Sequence, residues 1–300
     1  MNDMISANLS KSSLAAYRRS WGVYCNFVAE FLIPQVSIIS PSSLMLFMAY
    51  LRFQNLKSST ISTYVSEIRY CAKLLGYPDP GSDFLVTLSL SGLAKLSGPL
   101  DARLPITIPI LGKLVASVNS VFFSHYDQYM VKAMLTLAFF AFLRVGEFTV
   151  VSKNQIPTIT ASAVHMNQSD LHHGMSLTFS AYKHSKGTRP FILQIPRQKF
   201  DSLCPVLHLA NYLAIRVDTP GALFVHADGN PVRKETFRTY LNTLLKCNSL
   251  DPSLYKGHSF RIGAASWAAE NGYSDSQIRL LGRWKSDAFK KYIRNVSFSL

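Results

Sequence analysis

Four polar clusters in this 300-residue sequence carry side chains suited to chemistry on a phosphate. Arg144 and Glu147, in Phe142-Leu-Arg-Val-Gly-Glu147, stand three residues apart at the end of an apolar run, which predicts that they share one helical face. Lys183-His-Ser-Lys186 lies between two extended runs. His258 and Arg261 repeat the three-residue spacing at the start of a small, apolar helix, Ile262-Gly-Ala-Ala-Ser-Trp-Ala-Ala269. Two large polar groups on such a closely packing face are costly unless something anionic meets them. Leu281-Gly-Arg-Trp284 then leads through Lys285-Ser-Asp-Ala-Phe-Lys-Lys to Tyr292. Each cluster alone has an ordinary reading: a local ion pair, a solvated turn, or, for Ala264 to Leu281 with Gly272 in the turn and a Ser274-x-x-Gln277 capping box, a helix-turn-helix DNA reader. Together, two arginines, a histidine and a lysine can make charge-assisted contacts to the non-bridging oxygens of one phosphate. A tyrosine downstream could then attack the phosphorus and form a covalent phosphotyrosine.

The overall charge fits a polyanionic partner. Lys and Arg number 31 against 17 Asp and Glu, for a net charge of +14 and a sequence pI near 9.7. Nucleic acid is the first expectation and an anionic membrane surface the second. Residues 1–100 hold 8 basic and 5 acidic side chains, and 101–300 hold 23 and 12, so most of the field belongs to the C-terminal two-thirds. No run of five like charges occurs, so folded surfaces must display it, and no nuclear import signal is visible. A hydrophobic fraction of 48% with 16% charged residues excludes a disordered polyelectrolyte. The longest apolar run, Ala133 to Leu143, is bounded by Lys132 and Arg144 and falls short of the roughly 20 residues of a membrane span, so a buried helix and no membrane partner are expected. The opening Met1-Asn-Asp-Met-Ile-Ser-Ala predicts no signal peptide. Cys25, Cys71, Cys204 and Cys247 have no paired spacing, which suits reduced thiols in an intracellular protein and predicts no structural zinc.

The elements that must position these clusters are mostly helical. Tyr17, Trp21, Tyr24, Val28 and Phe31 recur at spacings of three and four; Ser40-Pro41 starts a second helix, Ser59 a third, and the turn Gly76 to Gly81 precedes a fourth. These make residues 1–97 a helical module. A proline-containing, aperiodic stretch over 98–106 predicts a linker, and 107–300 a second domain. There a helix from Ile108 to Asn119 and the apolar helix ending at Arg144 precede a hairpin of Met175 to Ala181 with Pro190 to Ile195. Helices follow over Cys204 to Val217, Arg233 to Cys247, and from Gly257 to the turn at Asn271-Gly272.

The ordered set Arg-x-x-Glu, hairpin lysine, His-x-x-Arg, Gly-x-Trp and Tyr resembles the tyrosine recombinase (phage integrase) family across essentially the whole chain. The segment from Gly257 through Gly282-Arg-Trp284 to Tyr292-Ile-Arg-Asn295 is Cre-like, and its style is similar to recombinases of eukaryotic DIRS-type retrotransposons and Crypton transposons. The resemblance implies a mainly α fold: an N-terminal helical core-binding (SAM-like) domain, and a mixed α+β catalytic domain, mostly helical with a small antiparallel sheet. It implies Tyr292 as nucleophile, Arg144 and Arg261 as the phosphate clamp, Glu147 as the acid that orients them, and His258 as a hydrogen-bond donor or proton-transfer group. Trp284 stands where many members have a second histidine. The general acid for the leaving 5′ hydroxyl is Lys183 or Lys186, with Lys183, at the end of the first strand, favoured. It further implies double-stranded DNA as partner, a homotetramer on DNA, no cofactor and no metal. Location would be the nucleus in a eukaryote or the cytoplasm in a prokaryote. Two departures stand out: Tyr292 comes eight positions after Trp284, one fewer than in Cre, and eight residues follow Tyr292, where many relatives carry a helix that docks on a neighbour. A catalytically inactive DNA-binding descendant and a helix-turn-helix regulator are the alternative readings.

Overall fold

A computed structural model describes residues 9–31, 39–96, 103–152, 155–167, 174–180 and 190–294. The chain divides into two units, Met1–Asp101 and Ala102–Leu300.

The described part of the first unit is helical: α1 (Lys11–Phe31), α2 (Pro41–Phe53), α3 (Ser58–Leu74) and α4 (Phe84–Leu96), with a 3-10 turn at Pro80–Ser82. Local chemistry sets the start of α2, where the Ser40 side chain accepts from the Ser43 N–H, Ser43 reciprocates, and Pro41 occupies the first turn, where its missing N–H costs nothing. The helical stripes meet in one core containing Tyr24, Phe27, Leu44, Phe47, Ile61, Val65, Ile68 and Val86. The buried Tyr24 hydroxyl is satisfied by Ser43 Oγ at 2.7 Å. Arg69 grips Asp79 through two hydrogen bonds of 2.8 Å, and Lys73 lies 2.9 Å from the same carboxylate, tying α3 to the turn after it.

In the second unit α5 (Ile108–Val121) and α6 (His125–Phe140) precede the one-turn helix α7 (Val145–Phe148). From Met130 to Phe139 every residue of α6 but Lys132 is buried, and Thr136 satisfies its hydroxyl on the Lys132 carbonyl at 2.8 Å. This all-round burial explains the long apolar run: α6 is a central core helix, and among the described residues no helix is long and apolar enough to cross a membrane. A three-stranded antiparallel sheet follows, β1 (Val164–Asn167), β2 (Gly174–Phe179) and β3 (Phe191–Pro196), in that order. Leu177 pairs with Leu193 and Phe179 with Phe191. The hairpin strands are those expected; β1 is additional, and as the central strand β2 is buried at Ser176 as well as at Met175, Leu177 and Phe179. Helices α8 (Pro205–Ile215), α9 (Lys234–Cys247), α10 (Gly257–Glu270) and α11 (Asp275–Leu281) and a 3-10 segment, Asp287–Tyr292, complete the unit. The Ser274 capping box opens α11, and Gly272, at φ 78°, supplies the left-handed turn before it.

Arg103 to Ile106, read in the sequence as linker, pack on α10: Ile106 donates to the Ser259 carbonyl at 3.0 Å and is fully buried. Gly263 permits this approach, since a Cβ there would strike the Ile106 carbonyl. The fold is mainly α, with a helical N-terminal unit and a mostly helical second unit bearing a small antiparallel sheet.

Candidate active site

Arg144 does not end the long apolar helix. α6 stops at Phe140, Phe142 turns back at φ 51°, and Arg144 becomes the N-cap of α7, with Glu147 three residues on. Their contact is therefore a capping contact rather than a shared face of one long helix. Glu147 Oε2 accepts from the Arg144 backbone N–H at 2.8 Å, and Oε1 accepts from Arg144 Nη1 at 3.0 Å. The helix breaks here for a tertiary reason: the Phe142 carbonyl turns inward and accepts from the guanidinia of both Arg261 and Arg283.

Arg261 is carried by α10 and is fully buried. Beyond its bond to Phe142 it donates through Nη2 to the Gly282 carbonyl at 2.8 Å, and its guanidinium lies 4.2 Å from the Trp284 ring centre. In this structure backbone carbonyls and an aromatic face surround its guanidinium on the α10 face. Its Nε has no hydrogen-bond partner among the described residues. Burial first, then the neighbouring charges of Arg144 and Arg283, hold its proton less tightly than in an ordinary arginine, with Glu147 and Tyr292 opposing.

Trp284 and Tyr292 close the group. The Trp284 ring lies 5.4 Å from that of Tyr292, which is in turn 6.0 Å from the His258 ring. Tyr292 ends a 3-10 segment rather than an α-helix, so its direction follows a three-residue turn. Ser266 of α10 brackets it, donating to the Tyr292 carbonyl at 3.3 Å and accepting from the Arg294 N–H at 2.9 Å.

Arg144, Glu147 and His258 line a cleft of about 780 Å³, together with Lys234, Glu235, Arg238 and Lys256. Its charged walls are mostly basic, as an anionic ligand requires. The structure thus brings Arg144, Glu147, His258, Arg261, Trp284 and Tyr292 into one neighbourhood; Lys183 and Lys186 lie outside the described residues. Among the described residues no group of three or more His, Cys, Asp or Glu could hold a metal ion. One residue in this neighbourhood had no role in the sequence reading. Arg283, whose side chain is 0% exposed, donates to Glu147 Oε2 at 2.9 Å. Its only signal in the sequence was its place between Gly282 and Trp284.

This mostly helical fold with a small antiparallel sheet is shared with solved structures of integrases and recombinases. Among solved structures the chain is similar to the Tn1549 transposon integrase in complex with circular intermediate DNA, at 13% identity and a TM-score of 0.65 over 98% of this chain and 93% of that one. It is likewise similar to a lambda integrase dimer bound to a COC′ core site, at 14% identity and a TM-score of 0.61 over 100% and 76%. For XerH site-specific recombinase bound to palindromic difH substrate, a post-cleavage complex, the values are 12% and 0.60 over 94% and 75%. No protein-family model and no curated protein matches the sequence.

Proposed function

We propose that this protein is a tyrosine-type site-specific recombinase that breaks and rejoins double-stranded DNA through a covalent 3′-phosphotyrosine. The observation that carries the reading is the meeting of Tyr292 with His258, Trp284 and the Arg144–Glu147–Arg261 group beside a basic cleft. The Tyr292 hydroxyl oxygen attacks the scissile phosphorus while the bond to the 5′ oxygen breaks, and the tyrosyl proton passes toward His258. The hairpin lysine, Lys183 rather than Lys186, protonates the leaving 5′ hydroxyl. Arg144 and Arg261 offset the charge that builds on the non-bridging oxygens, which is where electrostatic stabilisation counts most. The phosphotyrosine conserves the bond, so a second 5′ hydroxyl can attack it and release Tyr292 without an added energy source.

The basic excess of residues 101–300 supports duplex binding through backbone phosphates, with the salt dependence that follows. The family resemblance supports a homotetramer on DNA, a catalytic domain within 107–300, a core DNA-binding module within 1–97 and kinship with DIRS- or Crypton-type transposon enzymes. It also supports a nuclear location in a eukaryotic host or a cytoplasmic one in a prokaryote. The test is incubation with a random-sequence pool of nicked duplexes followed by denaturing electrophoresis. A covalent adduct with the wild-type chain that disappears in Tyr292→Phe is expected; no adduct with either chain overturns the reading.

A further inference from the structure

Arg283 is an unusual residue to find where it is. Its side chain is fully buried, and its backbone adopts φ 54°, the left-handed region in which glycine would be the undemanding choice. Burying a guanidinium and holding an L side chain in that conformation are both unfavourable, so the arrangement persists only where its contacts over-determine it. Those contacts reach three separate pieces of the unit. Nη2 donates to Glu147 Oε2 at 2.9 Å and to the Phe142 carbonyl at 3.2 Å, and Nη1 donates to the carbonyls of Ala141 at 3.3 Å and Leu281 at 3.2 Å. The guanidinium also lies 4.2 Å from the ring centre of Phe179, the last residue of β2.

The Glu147 carboxylate is thereby shared: Oε1 holds Arg144 Nη1, and Oε2 holds the Arg144 N–H and Arg283. The geometry points to Arg283 as a positioning residue that fixes Glu147, and through it the Arg144 guanidinium, while anchoring the segment that begins at Trp284 and ends at Tyr292. Because Arg283 directly precedes Trp284, one ion pair joins the segment bearing the nucleophile to the turn bearing the phosphate-binding arginine. The proposal rests on the strand-transfer reading above, and adds to it a residue that touches no substrate and whose loss is felt at Arg144.

The test uses duplexes captured covalently by the wild-type chain from a random-sequence pool of nicked DNA. Adduct formation rate and non-covalent duplex affinity are measured for wild type, Arg283→Met, Arg283→Lys, Glu147→Gln and the two double variants. Arg283→Met is expected to slow adduct formation on the order of 10- to 100-fold, as a small misplacement of a reacting group does, with duplex affinity within about threefold. In the Glu147→Gln background the same change is expected to cost much less, because the partner through which Arg283 acts is already altered. A residue that merely supports the fold would instead give losses that multiply. If Arg283→Met fails to fold, Arg283→Lys, which keeps the charge but not the fork of donors, carries the same comparison. Full adduct rate in a folded Arg283 variant, or multiplying losses in the double variants, overturns the proposal. Absence of any wild-type adduct overturns the strand-transfer reading instead.

Discussion

Replacing Glu147 by glutamine should expose how much this neighbourhood depends on one negative charge. Glu147 is 5% exposed, and it is the carboxylate that faces Arg144 and Arg283 directly, with Arg261 close enough to feel its charge. Glutamine keeps the shape and one acceptor oxygen but leaves the buried guanidinia uncompensated. Removing one partner of a buried ion pair costs about 3–5 kcal/mol, and the retained acceptor places this case near 3 kcal/mol. For a unit of the size of Ala102–Leu300, each kcal/mol lowers the unfolding temperature by about 2–4 °C, so a fall of about 6–12 °C is expected. Differential scanning calorimetry on the full chain reads it directly. Sodium sulfate supplies a further signature: an anion able to approach the excess positive charge should stabilise Glu147→Gln more than wild type. A fall below about 2 °C would refute the claim that the carboxylate holds this arginine group together.

Four further outcomes follow from particular contacts. Gly263→Ala should destabilise the second unit by about 1–3 kcal/mol, measured by urea unfolding, because the new methyl must displace the Ile106 backbone. Ser266→Ala should slow covalent adduct formation about fivefold, the worth of roughly one hydrogen bond, with little change in melting temperature, since it frees the backbone on both sides of Tyr292. Asp79→Asn should cost the first unit about 1–2 kcal/mol at neutral pH, a figure kept small by the partial exposure of Arg69. The Arg69 guanidinium, with Lys73 behind it, holds the Asp79 carboxyl well below the ordinary carboxylate range, so this stabilisation is complete above about pH 4, the unfolded value, and is lost as pH falls through the folded one. An acid titration of stability should therefore be flatter in Asp79→Asn than in wild type.

The parts of the fold legible in the sequence are those set by local rules. The Ser40-Pro41 and Ser274–Gln277 caps and the three-and-four spacing around Tyr24 each express short-range chemistry, and each marks an element where expected. The end of α6 was not legible, because the apolar run continues through Leu143 while the helix stops at Phe140 to offer the Phe142 carbonyl to two distant arginines. β1 has four residues, two of them His165 and Asn167, too few for a clear alternation. The motif spacing indicated which side chains gather, but not that Arg261 would be sunk among carbonyls and indole. Nor did it mark Arg283, whose burial depends on a carboxylate 136 positions away. Ion-pair partners that far apart in sequence leave no local pattern.

Mass spectrometry of the protein–DNA adduct tests the central claim most directly. After nuclease trimming and tryptic digestion, the tripeptide Tyr292-Ile-Arg294 should carry a nucleotide joined through its 3′ phosphate to the tyrosine oxygen. An adduct on any other residue, a nucleotide joined through a 5′ phosphate, or only the unmodified tripeptide from the captured complex would contradict the account.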